Sequence, residues 1–138
     1  MKSVLQRVSQ ASVTVENQVI GQIGRGMLVL FGVEKDDDEA KLDYHVGKLL
    51  RLRIFADKND KMNLSVQDIQ GELLIVSQFT LAADCRKGNR PGFDNAKPPK
   101  EAEQLYNRFV EKLRQESGLK VETGSFGAMM QVALVNDG

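Results

Sequence analysis

Apolar and polar positions alternate along the first part of the chain and become continuously apolar further on. Within residues 1–23, apolar and polar side chains alternate around Val13, which is typical of a strand. The pair Asn17-Gln18 predicts a turn between two such strands. Residues 27–31 are all apolar, which is typical of a strand covered on both faces. Residues 72–81 start with a second apolar run and are predicted to form the next core strand.

Two later segments have the spacing of amphipathic helices. The acidic run 36–39 supplies an N-cap and a first turn for a helix that is predicted to reach Arg53. A second helix follows Pro98-Pro99 and ends before Gly118. Residues 131–135 are apolar and predict a last strand. The stripes predicted to be buried are Leu42, Val46, Leu49 and Leu50 in the first helix, and Ala102, Leu105, Tyr106, Phe109, Val110 and Leu113 in the second.

This order of several strands, a helix, strands, a helix and strands indicates a compact α/β domain, but not the regular alternation of a doubly wound fold. The length of 138 residues, with 41% apolar and 28% charged residues, favours one domain over residues 1–138. The chain has no apolar run of about 20 residues, and its start lacks the apolar region of a signal peptide. A cytoplasmic protein with no membrane partner is therefore expected.

Charge and cysteine content exclude several other classes. The chain has 19 basic and 19 acidic residues, so it has no general attraction to polyanions, and DNA is not an expected partner. Cys85 is the only cysteine and His45 the only histidine, which rules out an internal disulfide and argues against a structural zinc site. The acidic run 36–39 does not have calcium-loop spacing, so no metal and no cofactor are expected.

The most informative chemistry lies at Ser77-Gln78-Phe79-Thr80-Leu81, which directly follows the apolar run 73–76. A rigid strand end can aim hydroxyl, amide and backbone groups at a substrate. The hydroxyls of Ser77 and Thr80 can belong to a nucleophile or an oxyanion site, or they can form hydrogen bonds with the neighbouring backbone. His45 lies beside the apolar stripe of its helix, which favours a structural role over that of a general base. Cys85 is followed by two basic residues, yet no orienting histidine accompanies it, which favours an incidental loop cysteine.

A long connection follows this strand end, over residues 83–99. Loops of this length inside a compact domain are often functional. Phe93 lies within it and could stack on a base. Five basic side chains lie in it or beside it: Arg86, Lys87, Arg90, Lys97 and Lys100. Contact with a phosphate backbone and a solvated loop are both compatible with this pattern.

Around Ser77-Gln78-Phe79-Thr80-Leu81 the chain resembles the D-aminoacyl-tRNA deacylases (formerly D-tyrosyl-tRNA deacylases), and the similarity extends over nearly the whole sequence. Further matching segments occur in the family's order: Leu5-Gln6-Arg7-Val8, Ala11-Ser12-Val13-Thr14-Val15, Gly32-Val33-Glu34-Lys35-Asp36-Asp37, Lys61-Met62-Asn63-Leu64 and Val135-Asn136-Asp137-Gly138.

The resemblance implies an enzyme that hydrolyses the ester between a D-amino acid and the 3′ adenosine of tRNA, and that also clears glycine mischarged on tRNA-Ala. It implies a homodimer with a β-rich, barrel-like mixed sheet, two main helices and an active site at the subunit interface. The strand end Ser77, Gln78, Phe79 and Thr80 would line this site, and Met130 would lie in the pocket. A Gly-Pro-Val-Thr motif with a cis Gly-Pro peptide would enter from the partner, and its glycine corresponds to Gly138.

The chain departs from this pattern at its end. It stops at Gly138, so the rest of the second motif is absent, and a missing C-terminal tail is expected. The residues of the sequence also offer no evident general base. This favours hydrolysis assisted by the 2′-hydroxyl of the tRNA over a nucleophilic Thr80. We expect Arg86, Lys87 and Arg90 to contact tRNA phosphates. A noncatalytic tRNA- or RNA-binding module and a general esterase are the alternatives.

Overall fold

The computed structural model describes residues 1–138, and its first three strands form one long hairpin. Strand β1 (Lys2–Val15) turns through Glu16 and Asn17 into β2 (Gln18–Ile23), and β3 (Gly26–Gly32) continues along the same edge of β1. Glu16 and Asn17 both have positive φ, 50° and 64°, as tight two-residue hairpin turns require. The hairpin is as predicted, with its turn one residue earlier.

The remaining strands complete a mixed sheet of order β2-β1-β3-β6-β7. The strands β6 (Glu72–Ser77) and β7 (Val121–Thr123) continue the sheet in parallel beyond β3, whereas β8 (Gln131–Asn136) pairs antiparallel with β1. The sheet curves until β2 approaches β7, where an added Cβ on Gly21 would lie 2.6 Å from the carbonyl oxygen of Thr123. A small separate hairpin consists of β4 (Phe55–Ala56) and β5 (Met62–Leu64). The expected barrel-like mixed sheet is thus confirmed.

Two helices cover one face of this sheet. Helix α1 (Glu39–Arg51) starts after Asp38, whose carboxylate accepts a hydrogen bond from the backbone of Lys41, and it ends two residues before the predicted end. Helix α2 (Pro99–Ser117) ends at Gly118, which has a φ of 65°. The stripes are buried as predicted, except that Leu105 is only partly buried. Neither helix combines the length and the apolar character that a membrane crossing requires.

The strands β3 and β6 separate two apolar layers. Alternate side chains point toward the helices, where Phe31 and Phe109 stack with ring centroids 4.1 Å apart. The opposite layer is smaller, and several of its members on β3 and β8, such as Leu30 and Leu134, are only partly buried. The continuously apolar pattern of residues 27–31 therefore reflects a strand that packs on both faces, as expected.

The predicted strand over residues 72–81 is wrong at its end. Strand β6 stops at Ser77, and Phe79–Ala82 form a short 3-10 turn. The backbone N–H of Gln78 makes the last bond along β3, to the carbonyl of Phe31 at 2.8 Å. The chain then folds over Gly32, where an added Cβ would lie 2.8 Å from the carbonyl oxygen of Gln78. The three-residue strand β7 was not predicted either.

Candidate active site

The largest well-formed cavity lies where β6 ends. It is a cleft of about 680 Å³ between this strand end, residues 93–99, the first turns of α2 and the segment 126–130. Most of its wall is apolar, which is usual for a site that binds an organic group. The polar and charged contributors are few: Ser77, Gln78, Lys97 and the hydroxyl-bearing Tyr106.

The strand end supplies one wall of the cleft. Ser77 and Gln78 are half-buried and line it, while the ring of Phe79 is 59% exposed at its mouth. Ser77 is fixed opposite Phe31 by the parallel ladder between β6 and β3. Phe79 meets Phe93 from the long loop edge to face, with ring centroids 5.1 Å apart. The loop that follows the strand end therefore returns to the site, as its length suggested.

Thr80 stands apart from the other three residues of this segment. It is exposed in the 3-10 turn, it does not line the cleft, and its hydroxyl accepts a hydrogen bond from the side-chain amide of Gln78. The structure brings no imidazole or carboxylate to this hydroxyl. This arrangement gives Thr80 no group that could take its proton, as an attacking hydroxyl requires.

Met130 and Gly138 lie at opposite ends of β8. Met130 lines the cleft, and an added Cβ on Gly124 would lie 2.5 Å from the sulfur of Met130, so this glycine makes room for the thioether. Gly138 follows the far end of the strand, where the N–H of Asp137 bonds to the carbonyl of Arg7 at 2.8 Å. Within one chain, the structure thus brings Met130 to the strand end but not Gly138.

The carbonyl of Ile75, two residues before the end of β6, joins this strand to helix α2 and to the segment after β7. This oxygen accepts a hydrogen bond from the Tyr106 hydroxyl at 2.9 Å and from the backbone N–H of Gly124 at 3.0 Å. Burial raises the pKa of Tyr106 to about 12, so the phenol stays protonated and remains a donor well into the alkaline range. The sequence identified Tyr106 only as part of an apolar stripe, because nothing in its spacing indicates which atom its hydroxyl meets.

An acidic residue within the loop over residues 83–99 partly neutralises the loop's positive charge. Asp84 and Arg86 form an ion pair with two side-chain hydrogen bonds of 2.9 and 2.5 Å, and these lower the pKa of Asp84. Asp84 also exchanges two backbone hydrogen bonds with Gly92, which narrows the loop into a small hairpin. Lys87 and Arg90 are exposed and make no ion pair. The three predicted phosphate contacts therefore differ: Arg86 already has a partner, and the other two do not.

The remaining candidates lie away from the cleft. The Nε2 of His45 is 2.7 Å from the hydroxyl of Ser3, and its ring meets Phe31 and Phe109 edge on. Burial, and then the nearby N-terminal charge, lower the pKa of His45. The histidine thus has the structural position that its helix pattern favoured. Cys85 is exposed in the loop.

The acidic run at the start of α1 is used within the chain. Asp37 is buried, forms an ion pair with the N-terminal ammonium of Met1 and accepts a hydrogen bond from the backbone of Glu34 at 2.7 Å. Asp38 caps the helix. No three side chains of the His, Cys, Asp and Glu types converge as a metal site would require.

Together, the strand end, its apolar cleft and the curved mixed sheet define a small protein of mixed α and β structure with a substrate-sized cleft at the end of a core strand. A family model described as D-Tyr-tRNA(Tyr) deacylase matches residues 4–138, and the chain belongs to this family. The family resemblance, the fold class and the expectation of a hydrolase that acts on an ester bond are thereby confirmed.

Individual relatives agree with this assignment. The chain is 57% identical to a D-aminoacyl-tRNA deacylase of Pelobacter propionicus, over all of this chain and 94% of the relative. It is 60% identical to a D-aminoacyl-tRNA deacylase of Desulfitobacterium hafniense, over all of this chain and 92% of the relative.

Two solved structures share the fold. One, named c-Myc DNA Unwinding Element Binding Protein, has a TM-score of 0.93 and 47% identity over 99% of this chain and 93% of the other. The second is described as a probable eukaryotic D-amino acid tRNA deacylase. It has a TM-score of 0.84 and 22% identity over 99% of this chain and 94% of the other, so it supports the fold alone.

Proposed function

We propose that this chain hydrolyses the ester of D-aminoacyl-tRNA in the cytoplasm and so contributes to chiral proofreading in translation. One observation carries the proposal: the strand end of a deacylase-family chain forms the polar wall of an apolar cleft of about 680 Å³. An aminoacyl ester is activated, so its hydrolysis needs less help from the protein than that of an amide.

The decisive assay compares D- and L-aminoacyl-tRNA carrying the same amino acid and follows the release of free amino acid. Release of the D-amino acid only is expected. A noncatalytic tRNA-binding module would bind both and release neither, and a general esterase would also cleave small activated esters of either configuration.

In the proposed mechanism, the site's own residues hold the ester, and the substrate contributes the group that positions water. The N–H groups of Phe79 and Thr80 begin a 3-10 turn, where the first donors have no partner inside the turn. They would hold the ester carbonyl oxygen as negative charge develops on it, an effect worth roughly 3 kcal/mol for one such donor. The 2′-hydroxyl of the terminal ribose, which DNA lacks, would orient the attacking water.

Two substitutions separate this mechanism from a covalent one. Thr80→Ala keeps the backbone N–H and removes the hydroxyl, so turnover should persist. A D-aminoacyl-tRNA ending in 2′-deoxyadenosine should bind and not turn over. Loss of activity in Thr80→Ala with normal folding would support a threonine nucleophile, and turnover of the deoxy substrate would exclude assistance by the 2′-hydroxyl.

We further propose a homodimer whose site is completed by the partner. Strand β8 pairs with β1 along one edge only, and its Val135 is 49% exposed. Leu30 and Leu134 on the neighbouring sheet face are only partly buried, which fits a surface that a second copy covers. Gly138 lies away from its own chain's cleft, so it would act in the cleft of the partner, where backbone could exclude L side chains.

Light scattering should give the mass of two chains. Val135→Lys places a charge in the proposed interface and should produce monomers with little deacylase activity. Val19→Lys is the matched control, because Val19 is 60% exposed on β2. A monomeric wild type with full activity would contradict the shared site.

The tRNA backbone is proposed to contact Lys87 and Arg90, with Arg86 contributing only if its pair with Asp84 opens. Neutralising Lys87 and Arg90 together should weaken binding to different tRNAs equally and flatten its salt dependence. An unchanged salt slope would contradict this contact.

Glycine has no side chain that a chirality filter could reject, so we also propose that glycine mischarged on tRNA-Ala is removed. Release of glycine from this tRNA, measured beside release of L-alanine, tests the proposal. Equal resistance of both esters would exclude it.

A further inference from the structure

The outward face of helix α1 carries a line of basic and aromatic side chains. At 3.6 residues per turn, four exposed residues fall within an arc of about 80° on the side opposite the buried stripe of this helix: Lys41, Tyr44, Lys48 and Arg51. We call this face the basic stripe. It extends over about 15 Å along the helix, at 1.5 Å per residue. Lys41 at its start is partly neutralised, because its ammonium lies 3.8 Å from the carboxylate of Asp37.

The side chains in the rest of the basic stripe lie close to one another. The ammonium of Lys48 is over the ring of Tyr44, 5.9 Å from its centroid, which is a cation–π contact. The guanidinium of Arg51 lies over Gly47, where an added Cβ would be 2.7 Å from one of its nitrogens. Glycine is unfavourable inside a helix, and here its missing side chain lets the guanidinium lie against the preceding turn. Two cations and one aromatic ring are therefore gathered on successive turns.

The positive charge of this surface is not cancelled within the chain. Lys48 and Arg51 take part in no ion pair, because the acidic side chains of the helix face α2 instead. Glu39 and Asp43 each form an ion pair with a basic residue of α2, at 3.1 and 2.7 Å. In a chain with 19 basic and 19 acidic residues, the basic stripe is thus a local excess of positive charge.

The basic stripe is accessible, and its helix begins beside the cleft. Lys97 lines both the cleft and the groove that Asp38 and Glu39 line, so the start of α1 is next to the substrate site. The helix then leads over 13 residues, about 20 Å, toward the hairpin of β4 and β5. The proposed dimer uses the opposite face of the sheet, which leaves the outward face of α1 free.

We propose that the basic stripe binds the phosphate backbone of double-stranded RNA, namely the acceptor stem of the tRNA whose aminoacylated 3′ end occupies the cleft. This rests on the proposed function, since it names a further part of the same substrate. Proteins recognise A-form duplexes by shape and phosphate contacts rather than by base sequence, and lysine, arginine and tyrosine supply such contacts. A stripe of about 15 Å can reach several phosphates, because a duplex carries about one charge per 1.7 Å of its axis. Lys87 and Arg90, in the loop that returns to the cleft, would contact the single-stranded end.

Binding of deacylated tRNA at several salt concentrations tests this surface without catalysis. Replacing both free cations, in Lys48→Gln with Arg51→Gln, should weaken binding and reduce the slope of log affinity against log salt by about 1.8, since each phosphate contact of a duplex contributes about 0.9. The exchange Lys48→Arg with Arg51→Lys is the matched control and should keep the slope, because it keeps both charges. Arg25→Gln removes one charge from an exposed turn elsewhere and should also keep it.

Cleavage of two substrates separates docking of the stem from damage to the cleft. In the double glutamine variant, kcat/KM for D-phenylalanyl-tRNA should fall by the same factor as affinity, whereas cleavage of 3′-O-D-phenylalanyl adenosine, which has no stem, should not change. An unchanged salt slope would overturn the proposal, and so would an equal loss on the short ester, which indicates a disturbed cleft. A wild type that is inactive on D-phenylalanyl-tRNA but binds tRNA through the basic stripe would refute the proposed function and leave the docking surface standing.

Discussion

Tyr106→Phe removes the hydroxyl by which α2 bonds to β6 and keeps the ring of a residue that lines the cleft. The hydroxyl is 2.9 Å from the carbonyl oxygen of Ile75, and the tyrosine is 3% exposed. After the substitution this oxygen still accepts the N–H of Gly124 at 3.0 Å, so it is not left without a donor. The expected loss is therefore the net worth of one hydrogen bond, about 1 kcal/mol, rather than the larger cost of an unsatisfied buried carbonyl.

Urea and thermal unfolding measure this loss. For a chain of this size, about 1 kcal/mol corresponds to a fall in Tm of about 3–5 °C. Tyr44→Phe is the matched control, because Tyr44 is 69% exposed on α1, and its midpoint should not change. The raised pKa of Tyr106 adds a pH test. The phenol of the unfolded chain ionises near pH 10, whereas that of the folded chain does not. Its contribution to the free energy of unfolding is therefore complete below pH 10 and is lost toward pH 12.

The same substitution should also lower the rate of deacylation, because the hydroxyl joins α2 to the strand that ends at Ser77. A fall in kcat with little change in KM is expected if the loosened wall mainly affects the geometry of the reacting ester. If Tyr106→Phe unfolds at the same midpoint as Tyr44→Phe, this hydroxyl does not hold the walls of the cleft together. A loss above about 3 kcal/mol would mean that the helix has repacked, since one hydrogen bond cannot account for it.

Three further changes test other parts of the fold. The pKa of His45 is lowered in the folded chain, so the unfolded chain takes up the proton first. The contribution of His45 to stability is therefore complete above pH 6.5 and falls as the pH drops below it. In His45→Gln the denaturation midpoint should depend less on pH between about pH 7 and 5. Gly26→Ala should prevent folding, as seen by circular dichroism, since its Cβ would lie 1.8 Å from the carbonyl oxygen of Glu72, which is backbone that cannot move aside. Gly124→Ala should reduce deacylation with a smaller loss of stability, because its Cβ displaces only the flexible thioether in the cleft, whereas Gly24→Ala meets nothing closer than 3.9 Å and should leave both unchanged.

The elements with a strong internal pattern could be predicted from the sequence. The stripe of α2 from Ala102 to Leu113 and its stop at Gly118 depend on spacing and on one glycine, and both are local properties. Strand β3 was equally clear, because a strand packed on both faces is apolar throughout. The curvature of the sheet was expected only from the family resemblance, because its closure depends on the approach of Gly21 to β7, which no local pattern reveals.

The end of β6 could not be predicted, because its cause lies elsewhere in the chain. The segment after Ser77 is apolar enough to continue a strand, but the neighbouring β3 has ended at Gly32, and the chain turns across it. Strand β7 has only three residues and no pattern of its own; it forms because β6 offers an edge. Propensity is local, and these two outcomes depend on the tertiary partner.

The residues of the candidate site were likewise only partly predictable from the sequence. The segment from Ser77 to Phe79 was identified from its position after an apolar run, and the structure places it in the cleft. The role of Tyr106 could not be foreseen, because it depends on which carbonyl its hydroxyl reaches. Thr80 looked equivalent to its neighbours in the sequence, and only the turn separates it from them.

The pairing of β8 with β1 has a consequence for synthesis on the ribosome. Residues 8–14 cannot complete their ladder until residues 131–136 have been made, so the first strand emerges long before its last neighbour. The cleft depends on the same late segment, since Phe126 and Met130 form part of its wall. A nascent chain therefore has no working site until residues 126–136 have been translated, and its first strand must be kept from pairing with other chains in the interval.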